Sequence, residues 1–77
     1  MALMVFYDRI REDPTEVEYR FGTREEHLDQ RLIIDKQART FRDQDDRTQG
    51  ITRAVASRIF GRYRAEGTWP VRGMIQA

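Results

Sequence analysis

Few side chains in this 77-residue chain have the types and spacing that catalysis or metal binding requires. His27 is the single histidine, and it could act as a general base or a metal ligand. The chain has no cysteine, which excludes thiolate metal sites and cysteine nucleophiles together. With no second histidine to share a metal, we interpret His27 as an exposed loop residue without a chemical role.

Two groups of carboxylates are the other candidates for chemistry. Asp43, Asp45 and Asp46 could give oxygen ligands to a hard cation, but the glycine and closing glutamate of an EF-hand loop are missing. Capping of the helix that follows explains these acids more simply. Glu16 and Glu18 stand two apart on a predicted exposed strand face, without an apolar pocket suited to acid catalysis. We therefore predict a non-enzymatic protein with no catalytic residue, metal site or cofactor.

The most informative residues are small ones that recur along one side of a predicted helix. Spacings of four, three, four and four place five of them on one face: Gly50, Ala54, Ser57, Gly61 and Ala65. A glycine in the middle of a helix costs about 1 kcal/mol relative to alanine, so Gly61 needs a reason. A row of small residues lets another backbone approach closely, which indicates a partner helix or a second copy of this chain.

Arginines border this row of small residues on both sides, and a tryptophan follows the helix in a Gly-Thr-Trp-Pro segment. The predicted partner-binding surface combines these features: Gly50, Ala54, Ser57, Arg58, Gly61, Arg62, Ala65 and Trp69. Two alternatives stay open. The small residues could be an ordinary surface, or the C-terminal tail could cover this side of the helix, with Trp69 folded back and buried.

The charges divide unevenly along the chain and leave a second function open. Residues 1–46 carry twelve acids and eight bases, whereas residues 47–77 carry six bases and one acid. A basic helix can attract an acidic partner, and arginines with nearby aromatic rings can bind nucleic acid. The sequence pI of about 8.2 is low for a nucleic-acid-binding domain. We therefore predict a protein partner or a homodimer first, with a nucleic-acid-binding accessory protein as the alternative.

The strands are predicted from alternation and turn residues. Residues 3–12 start with an apolar run, and Asp13-Pro14 favours a turn. Residues 15–21 alternate strictly between apolar and charged side chains, the signature of a strand with one buried face. Residues 31–35 predict a third strand, and residues 39–42 a short fourth one. The expected fold is α+β: an antiparallel β-meander of three to four strands followed by one long helix packed on one face.

The helix and the tail complete a single predicted domain over residues 1–77. The meander and linker occupy 1–46, the helix 47–66 and the tail 67–77, which is either an extended segment or a short strand. Asp46 is the expected N-cap, Gly67 the C-terminal stop, and Pro70 prevents continuation. The predicted core comprises Val5, Tyr7, Val17, Tyr19, Phe21, Leu32, Ile34, Phe41, Ile51, Val55, Ile59 and Tyr63.

The amino-acid composition indicates the kind of organism and the cellular compartment in which we expect this domain. Thirteen of its fourteen basic residues are arginine, which is typical of a GC-rich genome and leads us to expect a bacterial source. No stretch approaches the ~20 apolar residues of a membrane span, so no membrane partner is expected. The absence of cysteine favours the cytoplasm, because small secreted domains usually depend on disulfides.

Overall fold

The fold is one antiparallel sheet with a single helix, described here from a computed structural model for residues 4–43 and 50–76. The elements are β1 (Met4–Glu12), β2 (Glu16–Gly22), β3 (Gln30–Asp35), β4 (Thr40–Asp43), α1 (Gly50–Glu66) and β5 (Arg72–Gln76). The spatial strand order is β4-β3-β2-β1-β5. The predicted α+β class with an antiparallel meander and one helix is confirmed.

The sheet has five strands because the tail returns to the meander. β5 pairs antiparallel with β1, with Val5 opposite Ile75 and Tyr7 opposite Gly73. Of the two interpretations left open for the tail, the short strand is correct. The meander itself has four strands, within the predicted three to four, and the tail adds a fifth strand to the sheet. Asp43, the first of the three acids before the helix, is the last residue of β4. Asp45, the expected N-cap Asp46 and the predicted helix residues 47–49 lie outside the described residues.

Alternation along the strands builds the core from one sheet face. Val17, Tyr19 and Phe21 of β2 are buried, while the charged residues between them are more exposed. They share one buried cluster with Val55 and Ile59 of α1. Within the predicted core, nine residues are buried, and three are half-buried and packed against the cluster: Phe41, Ile51 and Tyr63.

The opposite sheet face holds its charges in pairs. Arg11 binds Glu18 at 2.8 Å and Glu16 at 3.1 Å, and Arg20 binds Asp8 at 2.9 Å. Each exposed pair contributes little to stability, on the order of 0–1 kcal/mol. These ion pairs matter for the surface charge, because the carboxylates of Asp8, Glu16 and Glu18 are already balanced by strand arginines.

The turn between β1 and β2 is organised by the Asp13 carboxylate, as the Asp-Pro pair predicted. One Asp13 oxygen accepts hydrogen bonds from the Thr15 and Glu16 amides at 2.8 and 2.7 Å, and from the Thr15 hydroxyl. The Glu16 amide, followed by the Thr15 groups, lowers the pKa of Asp13 from 3.8 to about 2.

We expect Asp13→Asn to remove part of the acid sensitivity of this domain. Because the Asp13 pKa is lower in the folded state, its stabilisation is present above about pH 4 and is lost as the pH falls towards about 2. Urea unfolding of both proteins across this range should show the free-energy difference between them shrinking as the pH falls. The matched control is Glu26→Gln, which removes an exposed carboxylate outside the turn. A wild-type-minus-variant difference that does not change with pH would contradict this role.

Candidate functional site

The outer side of α1 carries a shallow cleft along the predicted row of small residues. The cleft has a volume of about 400 Å³, and its lining residues within the described part of the chain all belong to the helix: Ser57, Arg58, Gly61, Arg62, Ala65 and Glu66. The structure thus brings together five of the eight predicted surface residues and adds Glu66. We call these six residues the outer-helix cleft.

Gly61 gives the cleft its floor. A Cβ atom built on Gly61 would meet no neighbouring heavy atom within 4 Å, so no packing within the domain requires a glycine at this position. Ser57 and Ala65, on either side, are exposed. Glycine therefore lowers the stability of the helix at position 61, and no contact among the described residues explains why a glycine is there. This is the geometry that close approach of another molecule would use.

The remaining predicted surface residues lie elsewhere. Gly50 is exposed at the first residue of α1, and Ala54 is half-buried against the core. Trp69 is only 8% exposed, so it lies in the core and not on the outer face. The tail residues that the structure describes do not line the outer-helix cleft, so the tail does not cover it.

Trp69 is held under the C-terminal half of α1 by aromatic contacts. Its ring stacks on Tyr63 with the centroids 4.2 Å apart and meets Phe60 edge-on at 5.9 Å. Its carbonyl accepts a 3.2 Å hydrogen bond from Arg9, and the next carbonyl, of Pro70, accepts a 2.5 Å hydrogen bond from Tyr19. The turn after the helix is therefore fastened to β1 and β2.

Arg62 has a structural role beside the outer-helix cleft. Its guanidinium donates to the Tyr7 hydroxyl at 2.9 Å and to the Arg72 carbonyl at 2.8 Å, and it forms an ion pair with Glu66 at 3.0 Å. The hydrogen bonds to Glu66 and Tyr7 raise the Arg62 pKa above its usual range. Arg62 thus connects the helix to β1 and β5, and sequence reasoning identified it only as a flanking charge.

Three other helix arginines differ from those of the sheet. Arg53, Arg58 and Arg64 are exposed, and within the described part of the chain no carboxylate forms an ion pair with any of them. Strand arginines such as Arg11 and Arg20 are paired instead. The uneven charge seen in the sequence therefore becomes a helix surface on which, among residues 4–43 and 50–76, no ion pair offsets these three positive charges.

The described residues hold no group of three or more histidine and carboxylate side chains arranged for a metal ion. His27 lies in the connection between β2 and β3, 3.9 Å from Asp29, and its side chain is 72% exposed. Over residues 4–43 and 50–76, no helix has the length and apolar character needed to cross a membrane. Searches of protein-family models, curated proteins and solved structures found no match to this chain.

Proposed function

We propose that this protein is a non-enzymatic binding module that docks a second protein on the outer-helix cleft. The observation that carries the proposal is the open space above Gly61, where an added Cβ would meet no neighbouring atom within 4 Å. Exposed Arg58, which forms no ion pair with a described residue, lines the same cleft and adds positive charge. Binding at such a surface combines close backbone approach with attraction of an acidic surface. We expect this interaction in the cytoplasm of a bacterium, which the arginine-rich, cysteine-free composition favours.

The charges favour an acidic partner over the same face of a second copy. Two outer-helix clefts placed face to face would bring Arg58 side chains together, and the only acid in the cleft, Glu66, is already bound to Arg62. Docking on the strand acids of a second copy is also disfavoured, because Asp8, Glu16 and Glu18 are paired within their own sheet. Self-association therefore remains the less favoured form of the proposal.

Gly61→Leu should weaken association at least several-fold while preserving the fold, because the leucine occupies the cleft and its Cβ meets no neighbouring atom within 4 Å. Gly61→Ala is the matched control, since its single methyl leaves most of the cleft open and favours the helix by about 1 kcal/mol. The first measurement is light scattering after size exclusion, at two concentrations about tenfold apart.

The mass measured by light scattering distinguishes a homodimer from a monomer that binds a different protein. A homodimer would have about twice the 9.2 kDa of the chain and should revert to monomer in Gly61→Leu. A monomer leaves the cleft free for another protein, and that partner's affinity is then compared across the three proteins. A partner or a second copy that binds Gly61→Leu as tightly as wild type would contradict docking at the cleft.

Nucleic-acid binding is the second candidate, and it is favoured by Arg53, Arg58 and Arg64, which are exposed and form no ion pair with any described residue. Arginine–phosphate contacts release counterions, so affinity for single-stranded or duplex DNA should fall steeply with added salt. Their arrangement weighs against this candidate, because Arg58 flanks one side of the small-residue row while Arg53 and Arg64 flank the other, so the three do not form a single patch. No binding to either form of DNA at low salt would exclude it.

A further inference from the structure

A second cleft lies on the other flank of α1, against the turn between β3 and β4. It has a volume of about 330 Å³ and is lined by Arg39, Ser57, Phe60 and Arg64. Two arginines from different elements therefore border one concave surface, together with a serine and a phenylalanine. Such a set of donors is suited to an anion, because guanidinium groups and hydroxyls donate hydrogen bonds to oxygen acceptors.

No carboxylate of residues 4–43 or 50–76 forms an ion pair with either arginine of this cleft. Within the described ranges, neither Arg39 nor Arg64 forms an ion pair, whereas Arg42 of the neighbouring strand is paired with Glu16. Like charges that border one cleft repel each other, and a bound anion would remove that repulsion. The arrangement therefore points to a negatively charged ligand.

The backbone of Arg39 gives an independent reason to expect a role for its side chain. Its φ angle is 57°, in the left-handed region that glycine adopts readily and other residues adopt at a cost. Asp35 stabilises the turn through two groups. Its backbone carbonyl accepts a 2.9 Å hydrogen bond from the Arg39 amide, and its carboxylate accepts hydrogen bonds from the amides of Gln37 and Ala38. A glycine would suit this position better, yet the chain has an arginine.

The Arg39 side chain is directed towards the helix. Its guanidinium carbon lies 5.9 Å from the centre of the Tyr63 ring, a distance compatible with a cation–π contact. The turn and this contact place the exposed guanidinium beside the helix. A side chain that already lies on this side of the turn loses less conformational freedom when a ligand binds.

We propose that the cleft formed by Arg39, Ser57, Phe60 and Arg64 binds a phosphate group. A phosphate presents several charged oxygens and can accept from two arginines and a hydroxyl at once, whereas one arginine satisfies a carboxylate. Phe60 offers an apolar wall to the rest of a phosphorylated ligand. This site shares Ser57 with the outer-helix cleft, but Gly61 does not line it and phosphate binding does not depend on a protein docking there.

The decisive variant is Arg39→Gly, because it separates a binding role from a structural one. Glycine removes the backbone cost at φ 57°, so this variant should unfold at a higher urea concentration than wild type. It should also bind phosphate about tenfold or more weakly, because a charge-assisted contact is lost. If Arg39 had only a structural role, its replacement by glycine would not both stabilise the protein and weaken phosphate binding.

The measurement is a nuclear magnetic resonance titration of the labelled protein with inorganic phosphate. We expect amide shifts that centre on Arg39, Ser57 and Arg64 and saturate. Arg64→Ala should weaken binding as well, while Arg24→Ala, which removes an exposed arginine on the β2–β3 connection, should not. Equal affinity in wild type, Arg39→Gly and Arg64→Ala, or equal weakening in Arg24→Ala, would overturn the proposal, as would the absence of shifts at the cleft.

The same titration distinguishes two sources of the phosphate group. Its other arms use a nucleoside monophosphate and a short single-stranded DNA. A monophosphate that binds as tightly as the DNA would identify the ligand as a small phosphorylated molecule. Much tighter binding of the DNA, still weakened by Arg39→Gly, would identify the phosphate as part of a nucleic-acid backbone.

Discussion

Replacing Trp69 by alanine should lower the free energy of unfolding by about 3–5 kcal/mol. The ring is 8% exposed, stacks on Tyr63 and meets Phe60 edge-on, so its removal empties the space beneath the C-terminal half of α1. A domain of this size has only about 5–15 kcal/mol of stability, so this loss could unfold a large fraction of the molecules. Urea unfolding followed by circular dichroism measures the effect.

Val71→Ala is the matched control for Trp69→Ala. Val71 is in the same segment but 52% exposed, so its truncation should change the free energy of unfolding by no more than about 0.5 kcal/mol. If Trp69→Ala had an equally small effect while weakening partner binding, Trp69 would be a contact residue of the surface and its burial would be wrong.

Gly73→Ala should destabilise the domain by about 1–3 kcal/mol, the range expected for overpacking. Gly73 of β5 lies opposite Tyr7 of β1, and an added Cβ would overlap the Tyr7 phenol ring and come within 2.7 Å of an Arg62 nitrogen. The Tyr7 ring is buried and cannot move aside without disturbing the core. The substitution should therefore loosen β5 and break the hydrogen bond between Arg62 and Tyr7.

Gly61→Ala is the opposite case and serves as the comparison for Gly73→Ala. Its added methyl group meets no neighbour within 4 Å, so the gain in helix propensity of about 1 kcal/mol should appear as increased stability. Urea unfolding of the two variants should thus move in opposite directions from wild type. A stable Gly73→Ala protein with unchanged β5 amide protection would contradict close packing of Gly73 on Tyr7.

Local sequence signals were sufficient for the meander and the helix. The alternation of Val17, Tyr19 and Phe21 with charged residues determines a strand and its buried face without any knowledge of its neighbours. Asp13 and Pro14 specify the turn through their own hydrogen bonding and fixed backbone angle. These features depend on residues close in sequence, so they can be predicted from sequence alone.

The fifth strand depends on pairing between distant parts of the chain and was only one of two open interpretations. Val71 and Met74 are both exposed, and Gly73 adds no side chain, so the tail shows little alternation. What fixes β5 is its pairing with β1, more than sixty residues earlier in the chain. Local patterns carry no information about such a partner.

The candidate sites also differ in how far they could be predicted from the sequence. The outer-helix cleft follows from helical periodicity, so its small residues and flanking arginines could be found in the sequence. Arg39 could not, because nothing in the chain marks a left-handed arginine in a turn or its position beside Ser57 and Arg64. The sequence also gave no sign that Arg62 connects the helix to Tyr7.

The central claim, that the outer-helix cleft docks a protein, is tested most directly by site-specific photo-crosslinking in living cells. A photoreactive amino acid at Ala65, on the exposed end of the cleft, should give one discrete covalent adduct whose mass identifies a second copy or another protein. The yield of this adduct should fall when Gly61→Leu is introduced into the protein that carries the photoreactive amino acid at position 65. The same group at exposed Thr23, outside the cleft, should give none. No adduct from Ala65, or the same adduct from both positions, would contradict the claim.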